Sequence, residues 1–284
     1  MSKILIQCVV VLYKCALDDS KALLSLAEVC RQYSGLSRRI ALLIYDNSQD
    51  LQAANLDRWN FGAVEYQHAS ENGGLAAAYN EALSIAIKAD IKWLLLLDQD
   101  TVLTPALFPA LFAAIESPLI PEICAVVPKL AQRGKMLSPQ IVGRFHNHNF
   151  PTAFSGTYRG QITALNSAAC LRVQALAAIG GFPREYWLDF LDHIMFHRLQ
   201  AAGGRVLVLN IVVEHRLSLQ NLEAEMSLDR YANVLSAEWR FVRETGSGGG
   251  PFVHRLRLLK RALSHTIKLR NKAYASQVLR ATLE

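Results

Sequence analysis

The chain has 284 residues, of which 51% are hydrophobic, enough for one large domain or for one domain with an appendage. No apolar run reaches about 18 residues, so the sequence predicts no transmembrane helix. The formal net charge is +6, but eight Lys or Arg and one acid follow residue 250, while 22 bases and 23 acids precede the same point. The body of the chain is therefore nearly neutral, and we expect no nucleic-acid partner.

The five cysteines are far apart, are odd in number and include no Cys-x-x-Cys pair. This pattern predicts neither a disulfide framework nor a zinc knuckle. We therefore expect a cytoplasmic protein. Whether it also attaches to the inner face of the cell membrane depends on the C-terminal segment, which is described below.

Strands and helices are predicted to alternate along the first half of the chain. Apolar runs typical of buried strands cover residues 4–12, 40–45, 63–66, 93–97 and 123–127. Helices are predicted between them, over 20–33, from Gly73-Gly74 to about residue 88, and after Thr104-Pro105. This alternation predicts an α/β fold whose mainly parallel sheet is covered on both faces.

The second half of the chain is less regular. Residues 129–164 predict long loops or short antiparallel strands, and His146 and His148 in this stretch are interpreted as solvated rather than as a metal pair. Further elements are a helix over 173–179, a helix ending near 202, a strand over 206–213 and helical patterning over 221–244. A Gly-rich linker at 246–250 precedes a basic segment.

The most informative stretch is residues 94–100, where four leucines are followed by Asp98-Gln99-Asp100. An Asp-x-Asp at the carboxyl end of a buried strand lies where open α/β sheets bind ligands. Carboxylate oxygens suit Mg²⁺ or Mn²⁺, which neutralise a diphosphate. A polar loop with two solvated acids is the alternative interpretation.

Four stretches together resemble the family 2 inverting glycosyltransferases of the GT-A fold. They are Tyr-Asp-Asn-Ser at 45–48, Glu-Asn-Gly-Gly-Leu-Ala-Ala-Ala-Tyr-Asn at 71–80, Leu-Asp-Gln-Asp at 97–100, and Gly-Gly-Phe at 180–182 followed by Asp189 to Arg198 and then His215. The Asp-Gln-Asp form is similar to the bacterial rhamnosyltransferase branch. The resemblance implies a Rossmann-like catalytic domain over 1–245 with a C-terminal helical extension. Its nucleotide-sugar-binding half would be 1–128, and its acceptor and base half 129–245.

The resemblance also implies roles for individual residues. Asp100 and His215 would bind the Mg²⁺ or Mn²⁺ ion, and Asp192 would be the general base, with Asp189 as the second candidate. The nucleotide-sugar would be contacted by Val10, Tyr13, Asp46, Asn72, Gly73, Asp98, Gln99 and Arg198. The chain departs from the family pattern in having Leu191 before Asp192 and Ile194 after it.

The expected activity is transfer of a sugar from a dTDP- or UDP-linked donor to a glycan or lipid-linked acceptor. The leading prediction is L-rhamnose from dTDP-L-rhamnose, in cell-surface polysaccharide synthesis. A nucleotidyltransferase of similar fold is disfavoured because residues 10–16 contain no glycine. A non-catalytic, membrane-associated scaffold would predict loss of the metal and base carboxylates, which are present.

The segment 251–284 predicts a basic amphipathic helix. Its apolar residues recur at steps of three and four: Phe252, Leu256, Leu259, Leu263 and Ile267. Such a helix suits an anionic membrane surface. Packing of the apolar stripe on the body of the protein, or on a second subunit in a homo-oligomer, is the alternative.

Overall fold

The computed structural model describes residues 3–117, 122–144, 146–214 and 222–283. The chain divides into two compact units. The α/β unit comprises Met1–Ile141 and Asn149–Arg216, and the helical unit comprises Val142–His148 and Leu217–Glu284.

The strands of the described residues are β1 Ile6–Leu12, β2 Ile40–Asp46, β3 Ala63–His68, β4 Trp93–Asp98, β5 Ile123–Gln132, β6 Lys135–Ser138, β7 Gln140–Ile141, β8 His148–Asn149, β9 Gly156–Thr157, β10 Ile162–Thr163, β11 Cys170–Arg172 and β12 Arg205–Glu214. The helices are α1 Lys21–Gln32, α2 Ser34–Ser37, α3 Gly74–Lys88, α4 Leu107–Glu116, α5 Val173–Ala178, α6 Leu191–Ala201, α7 Leu222–Glu225, α8 Leu228–Thr245, α9 Gly250–Lys268 and α10 Ala273–Ala281.

The central sheet has the strand order β3-β2-β1-β4-β11-β5-β12-β9, and β6 pairs with β5. Strands β3, β2, β1 and β4 are parallel to their neighbours, as are β5 and β12. The short strand β11 is antiparallel to both β4 and β5. This architecture confirms the predicted fold class, a mainly parallel sheet flanked by helices.

The inner strands are apolar because both of their faces are covered. All seven residues of β1 and all seven of β2 are buried. Helix α1 begins where predicted, since the hydroxyl of Ser20 accepts a hydrogen bond from the N–H of Leu23 at 3.3 Å. Helix α4 begins later than Thr104-Pro105 predicted, at Leu107, after a turn in which the Thr104 carbonyl accepts the Leu107 N–H.

The helical unit has its own hydrophobic core, formed by Met226, Tyr231, Leu235, Trp239, Leu258, Ala262, Tyr274, Val278 and Ala281. These residues belong to α8, α9 and α10 or immediately precede them, so the three helices pack together. None of the helices that the structure describes is both long and apolar enough to span a membrane.

The C-terminal region differs from the prediction in two ways. The predicted linker at 246–250 is a tight turn in which Gly246, Gly248, Gly249 and Gly250 have positive φ, and it joins two packed helices. The predicted single helix over 251–284 is two helices, because α9 ends at Lys268 and α10 begins at Ala273. Accordingly, α8 groups with the C-terminal helices rather than with the predicted domain 1–245.

Candidate active site

Two carboxylates end the strands on either side of β1. Asp46 is the last residue of β2, and Asp98 is the last residue of β4. Strand β1 is parallel to both, with Leu12 in register with Asp46 and Val11 in register with Asp98. The loops that follow these strands therefore meet at one edge of the sheet, where open α/β sheets bind ligands.

A cavity of about 690 Å³ lies at this edge. It is lined by residues of the loops after β1, β2 and β3, namely Tyr13, Lys14, Cys15, Ala16, Asn47, Ser48, Gln49, Asp50, Gln52, Ser70 and Asn72. The volume is in the range of small-molecule sites. The predicted ligand contacts Tyr13 and Asn72 are thus part of the lining. Val10, in contrast, is completely buried in the core, so its side chain does not reach the cavity.

Asp46 is completely buried, and its carboxylate is satisfied within the protein. Its Oδ1 accepts the backbone N–H of Ser48 at 2.9 Å. Its Oδ2 accepts the side-chain amide of Gln52 at 2.7 Å and the hydroxyl of Tyr66 at 2.8 Å. Asp46 therefore braces the loop that forms one wall of the cavity, and the predicted contact with a nucleotide base would require one of these donors to be displaced.

Asp98 is held by two hydroxyl groups. Tyr79 donates to Oδ1 at 3.4 Å, and Ser167 donates to Oδ2. Burial raises the pKa of Tyr79 well above its usual range, and the charges of Asp98 and Asp192 raise it further. Tyr79 therefore stays protonated, and its hydroxyl serves as a donor to Asp98.

Gln99 connects the Asp-Gln-Asp stretch to the loop after β1. Its side-chain Oε1 accepts the backbone N–H of Tyr13 at 2.8 Å. Its backbone carbonyl accepts the N–H of Ala22 at 3.1 Å and the hydroxyl of Ser20 at 3.2 Å. The amide oxygen of Gln99 thus positions the backbone of Tyr13. The sequence had predicted only a contact between Gln99 and the nucleotide-sugar.

Asp100 is half-buried, and its carboxylate makes no hydrogen bond or ion pair with any residue that the structure describes. Its charge helps to raise the pKa of Cys15, after the larger effects of burial, Asp19 and Asp46.

The donor chemistry around Asp100 suits a hard cation. Mg²⁺ and similar ions are bound by one or two carboxylates, with phosphates and waters completing the shell. No group of three or more His, Cys, Asp or Glu side chains within the described ranges is arranged to hold a metal, and the predicted ligand His215 lies outside those ranges. Asp100, with Asp98 beside it, therefore fits a site that the phosphates of a ligand would complete.

The turn that opens α3 packs against the segment before α6. Asn72 has a φ of 47°, and its Oδ1 accepts the N–H of Gly74 at 3.3 Å. Gly74 has a φ of 73°, and a Cβ at this position would lie 2.2 Å from the carbonyl oxygen of Trp187. The same oxygen accepts the N–H of Ala76 at 3.2 Å. The close approach of the backbone at position 74 to the Trp187 carbonyl therefore requires glycine. Gly73, in contrast, is an exposed helix cap with an ordinary φ of −70°.

Asp192 lies in the first turn of α6 and is half-buried. Its Oδ1 accepts the backbone N–H of His193 at 2.8 Å. An acidic residue in the first turn of a helix interacts favourably with the positive end of the helix dipole. The residue before the helix, Phe190, has a left-handed φ of 61°, a conformation uncommon for a non-glycine residue and often found at functional sites.

The other two predicted residues of this segment lie close by in sequence. Asp189 is half-buried in the turn before α6. Arg198, near the end of α6, forms an ion pair with Glu185, with Nη2 and Oε1 3.5 Å apart. The predicted contact between Arg198 and the nucleotide-sugar and the division of roles between Asp189 and Asp192 stay predictions.

Sequence reasoning missed several residues of this site. Ser167 and Tyr79 hold Asp98, and Gln52 holds Asp46. Lys14 lines the cavity, where its cation suits an anionic ligand. A usable signal existed for Tyr79, which lies in the family-like stretch 71–80, and for Lys14, which lies just after the carboxyl end of a buried strand. No local pattern marks Ser167 or Gln52.

The mainly parallel sheet flanked by helices, with its C-terminal helical region, is the architecture of the GT-A fold. The family model "Glycosyl transferase family 2" matches residues 9–169, more than half of the chain, and the chain therefore belongs to this family. The resemblance seen in the sequence is confirmed at this level. A search of curated proteins found no match.

Solved structures share the fold at low sequence identity. S. aureus TarS 1–349 superposes with a TM-score of 0.51 at 13% identity, covering 99% of this chain and 71% of that one. The same protein in complex with UDP-GlcNAc has a TM-score of 0.54 at 13% identity, covering 98% and 79%. GalNAc-T7 with UDP, GalNAc and Mn²⁺ has a TM-score of 0.55 at 14% identity, covering 83% of this chain and 48% of that one.

Proposed function

We propose that this protein is an inverting glycosyltransferase that transfers a sugar from a dTDP- or UDP-linked donor to a glycan or lipid-linked acceptor. The leading donor is dTDP-L-rhamnose, and the expected process is cell-surface polysaccharide synthesis. The observation that carries the proposal is the pair of carboxylates at the end of β4, Asp98 and Asp100, at the same sheet edge as a cavity of about 690 Å³.

The cavity is suited to the nucleotide. Tyr13 is 45% exposed at its rim and offers an aromatic face, while Lys14 offers a cation for a phosphate. The solved neighbours are described with UDP or UDP-GlcNAc, which supports a pyrimidine nucleotide for this chain as well. The Asp-Gln-Asp form of the strand-end motif is what favours dTDP-L-rhamnose over a UDP-sugar.

A divalent cation would be held by Asp100, with Asp98 close by in the same Asp-Gln-Asp stretch. When bound, Mg²⁺ or Mn²⁺ would neutralise the charge of the departing diphosphate. The GalNAc-T7 neighbour was solved with Mn²⁺, which supports this choice of ion. The hydroxyl groups of Tyr79 and Ser167 fix the orientation of the Asp98 carboxylate.

The transfer itself requires a base on the acceptor side. Asp192 takes the proton of the acceptor hydroxyl through Oδ2, since Oδ1 accepts the N–H of His193. The acceptor oxygen forms a bond to the anomeric carbon as the bond from that carbon to the phosphate oxygen breaks. The nucleoside diphosphate leaves with the bonding electrons, and attack from the opposite face inverts the anomeric configuration.

Titration calorimetry with dTDP, UDP and GDP, each with Mn²⁺, followed by transfer assays with the matching sugars, tests the proposal. We expect binding of dTDP or UDP and a loss of transfer of roughly 10³-fold in Asp100→Asn, because a bound cation contributes several kcal/mol to the leaving group. Asp57→Asn, an exposed acid in the turn Leu56–Arg58, is the matched control and should retain wild-type activity. A clear preference for GDP, or full activity in EDTA, would contradict the proposal.

A further inference from the structure

Helix α9 presents a continuous apolar stripe to the solvent. Phe252, Leu256, Leu259, Leu263 and Ile267 are between 47% and 73% exposed. Steps of four, three, four and four residues place them on one side of a helix. Exposed apolar residues are ordinary when they are scattered singly, but a contiguous row on one helix face marks an interaction surface.

The opposite side of α9 is fixed within the helical unit. Leu258 and Ala262 are buried in its core. Arg261 makes two hydrogen bonds to the carboxylate of Glu238, at 2.7 and 2.8 Å. The ring of His254 packs edge-on against Trp239, with centroids 4.5 Å apart. Because these contacts anchor the helix, the stripe cannot turn inward and stays available to a partner.

Basic side chains border the stripe, and α9 contains no Asp or Glu. Arg255 and Lys260 are exposed on either side of it, and Lys268 is exposed at the end of the helix. Arg270 and Lys272 follow directly and are also exposed. An exposed apolar row between cations has the chemistry of a helix that lies flat in the interface of an anionic bilayer.

A second copy of the chain fits this surface less well. Pairing two copies of α9 through their stripes would bring Arg255, Lys260 and Lys268 of both copies together, with no acid on either helix to neutralise them. An anionic lipid surface suits both the cations and the apolar stripe. The headgroups pair with the cations, while the stripe enters the region where the headgroups meet the acyl chains.

We propose that the exposed face of α9 is a membrane-docking surface that binds anionic phospholipid bilayers peripherally. The proposal goes beyond the sugar transfer, because lipid binding requires neither the donor, the cation nor the carboxylates of the active site. It would concentrate the protein at the membrane surface, where a lipid-linked acceptor is found.

Co-sedimentation of the full chain with lipid vesicles, without any nucleotide-sugar, tests this surface. We expect binding to vesicles of phosphatidylcholine mixed with phosphatidylglycerol, weak binding to phosphatidylcholine alone, and release at high salt. Leu256→Gln with Ile267→Gln should lower the partition coefficient by at least about tenfold, since two apolar side chains would no longer be buried. Lys260→Gln with Lys268→Gln should lower it by about fivefold per cation.

Leu24→Gln with Ile87→Gln is the matched control, because these residues are exposed to 55% and 51% on helices of the α/β unit. This control should bind vesicles like the wild type, and circular dichroism should show unchanged helix content in every variant. The proposal fails if the wild type does not sediment with anionic vesicles, or if the control loses binding as much as the stripe variant. It also fails if sedimentation velocity shows a dimer that Leu256→Gln with Ile267→Gln dissociates, since the stripe would then belong to a second copy.

Discussion

The carboxylates Asp46, Asp98 and Asp100 lie at equivalent places in the sequence pattern, at or just after strand ends, yet their surroundings differ. Asp46 has three donors and no exposure, Asp98 has two hydroxyl donors, and Asp100 has no partner among the described residues. A buried carboxylate that accepts hydrogen bonds from protein donors stabilises the fold, because moving it would leave those donors unpaired. An open carboxylate is free to bind a ligand. On this basis we propose Asp100 as the residue that would hold the cation.

Asp192→Asn tests the base. The substitution keeps the shape of the side chain and removes the proton acceptor, so kcat should fall by roughly 10²–10⁴-fold. The affinity for the nucleotide-sugar should change little, because the cavity is lined by other residues. Rapid-quench kinetics and calorimetry on the same variant measure the two quantities.

Asp189→Asn is the companion variant for this experiment. It lies three residues earlier, in the turn before α6, and should keep a measurable fraction of the wild-type kcat. An inactive Asp189→Asn beside an active Asp192→Asn would assign the base to Asp189 instead.

At the scale of elements, the site depends on how α3 begins. The turn over Asn72 to Gly74 brings the first residues of α3 against Trp187, in the segment before α6. Asn80, further along α3, makes two hydrogen bonds to the backbone of Phe182, at 2.7 and 2.9 Å. Helix α3 therefore connects the nucleotide side of the site to the segment that carries the proposed base.

Gly74→Ala tests this connection, with Gly134→Ala as the matched control. Both glycines have left-handed φ values, 73° and 77°, so both substitutions should cost about 1–2 kcal/mol in the free energy of unfolding. Only at Gly74 would the new methyl group meet Trp187, which should add about 1–3 kcal/mol and reduce transfer activity. Urea denaturation and transfer rates measure both effects, and equal losses in the two variants would refute the role of the contact.

At the scale of the whole molecule, the chain has two units with separate cores, so their stabilities can respond differently to pH. His254 is buried in the helical unit, and its Nε2 has no hydrogen-bond partner among the described residues. Burial lowers the pKa of His254, and this effect outweighs the opposing charge of Glu238, whose Oε1 lies 3.7 Å from Nδ1. The folded unit therefore keeps this histidine neutral.

We expect the helical unit to lose stability in acid. Above about pH 6.5, the usual histidine pKa, neither state binds the proton, and the full stability is present. As the pH falls below that value, the unfolded state binds a proton that the folded state does not, so the free energy of unfolding decreases. Hydrogen exchange of α8 and α9, corrected for intrinsic rates, should show this decrease, and His254→Gln should make it smaller. Unchanged protection in the wild type at low pH would contradict the assignment.

Two local features of the sequence, the periodicity of apolar residues and the position of polar residues at strand ends, were sufficient to predict much of the fold and part of the candidate site. The apolar runs at β1, β2, β4 and β5 mark buried parallel strands because both faces of such strands are covered. The position of Asp98 and Asp100 at the carboxyl end of β4 follows from the same pattern, since the carboxyl end of a parallel strand is where a ligand binds. The sequence by itself determined the fold class and the family.

Only the tertiary structure decided which of these residues have polar groups left for binding a ligand and which are engaged by other residues. Asp46 is closed off by Gln52 and Tyr66, and Gln99 is engaged by Tyr13, which lies 86 positions away in the chain. The helix predicted to be a single basic extension is divided and packed on α8, which leaves its apolar stripe outward. Apart from the contact of Gln52 with Asp46, these outcomes depend on residues that are well separated in sequence. A local pattern of polarity carries no information about which separated group will supply a donor or an acceptor or cover a helix face.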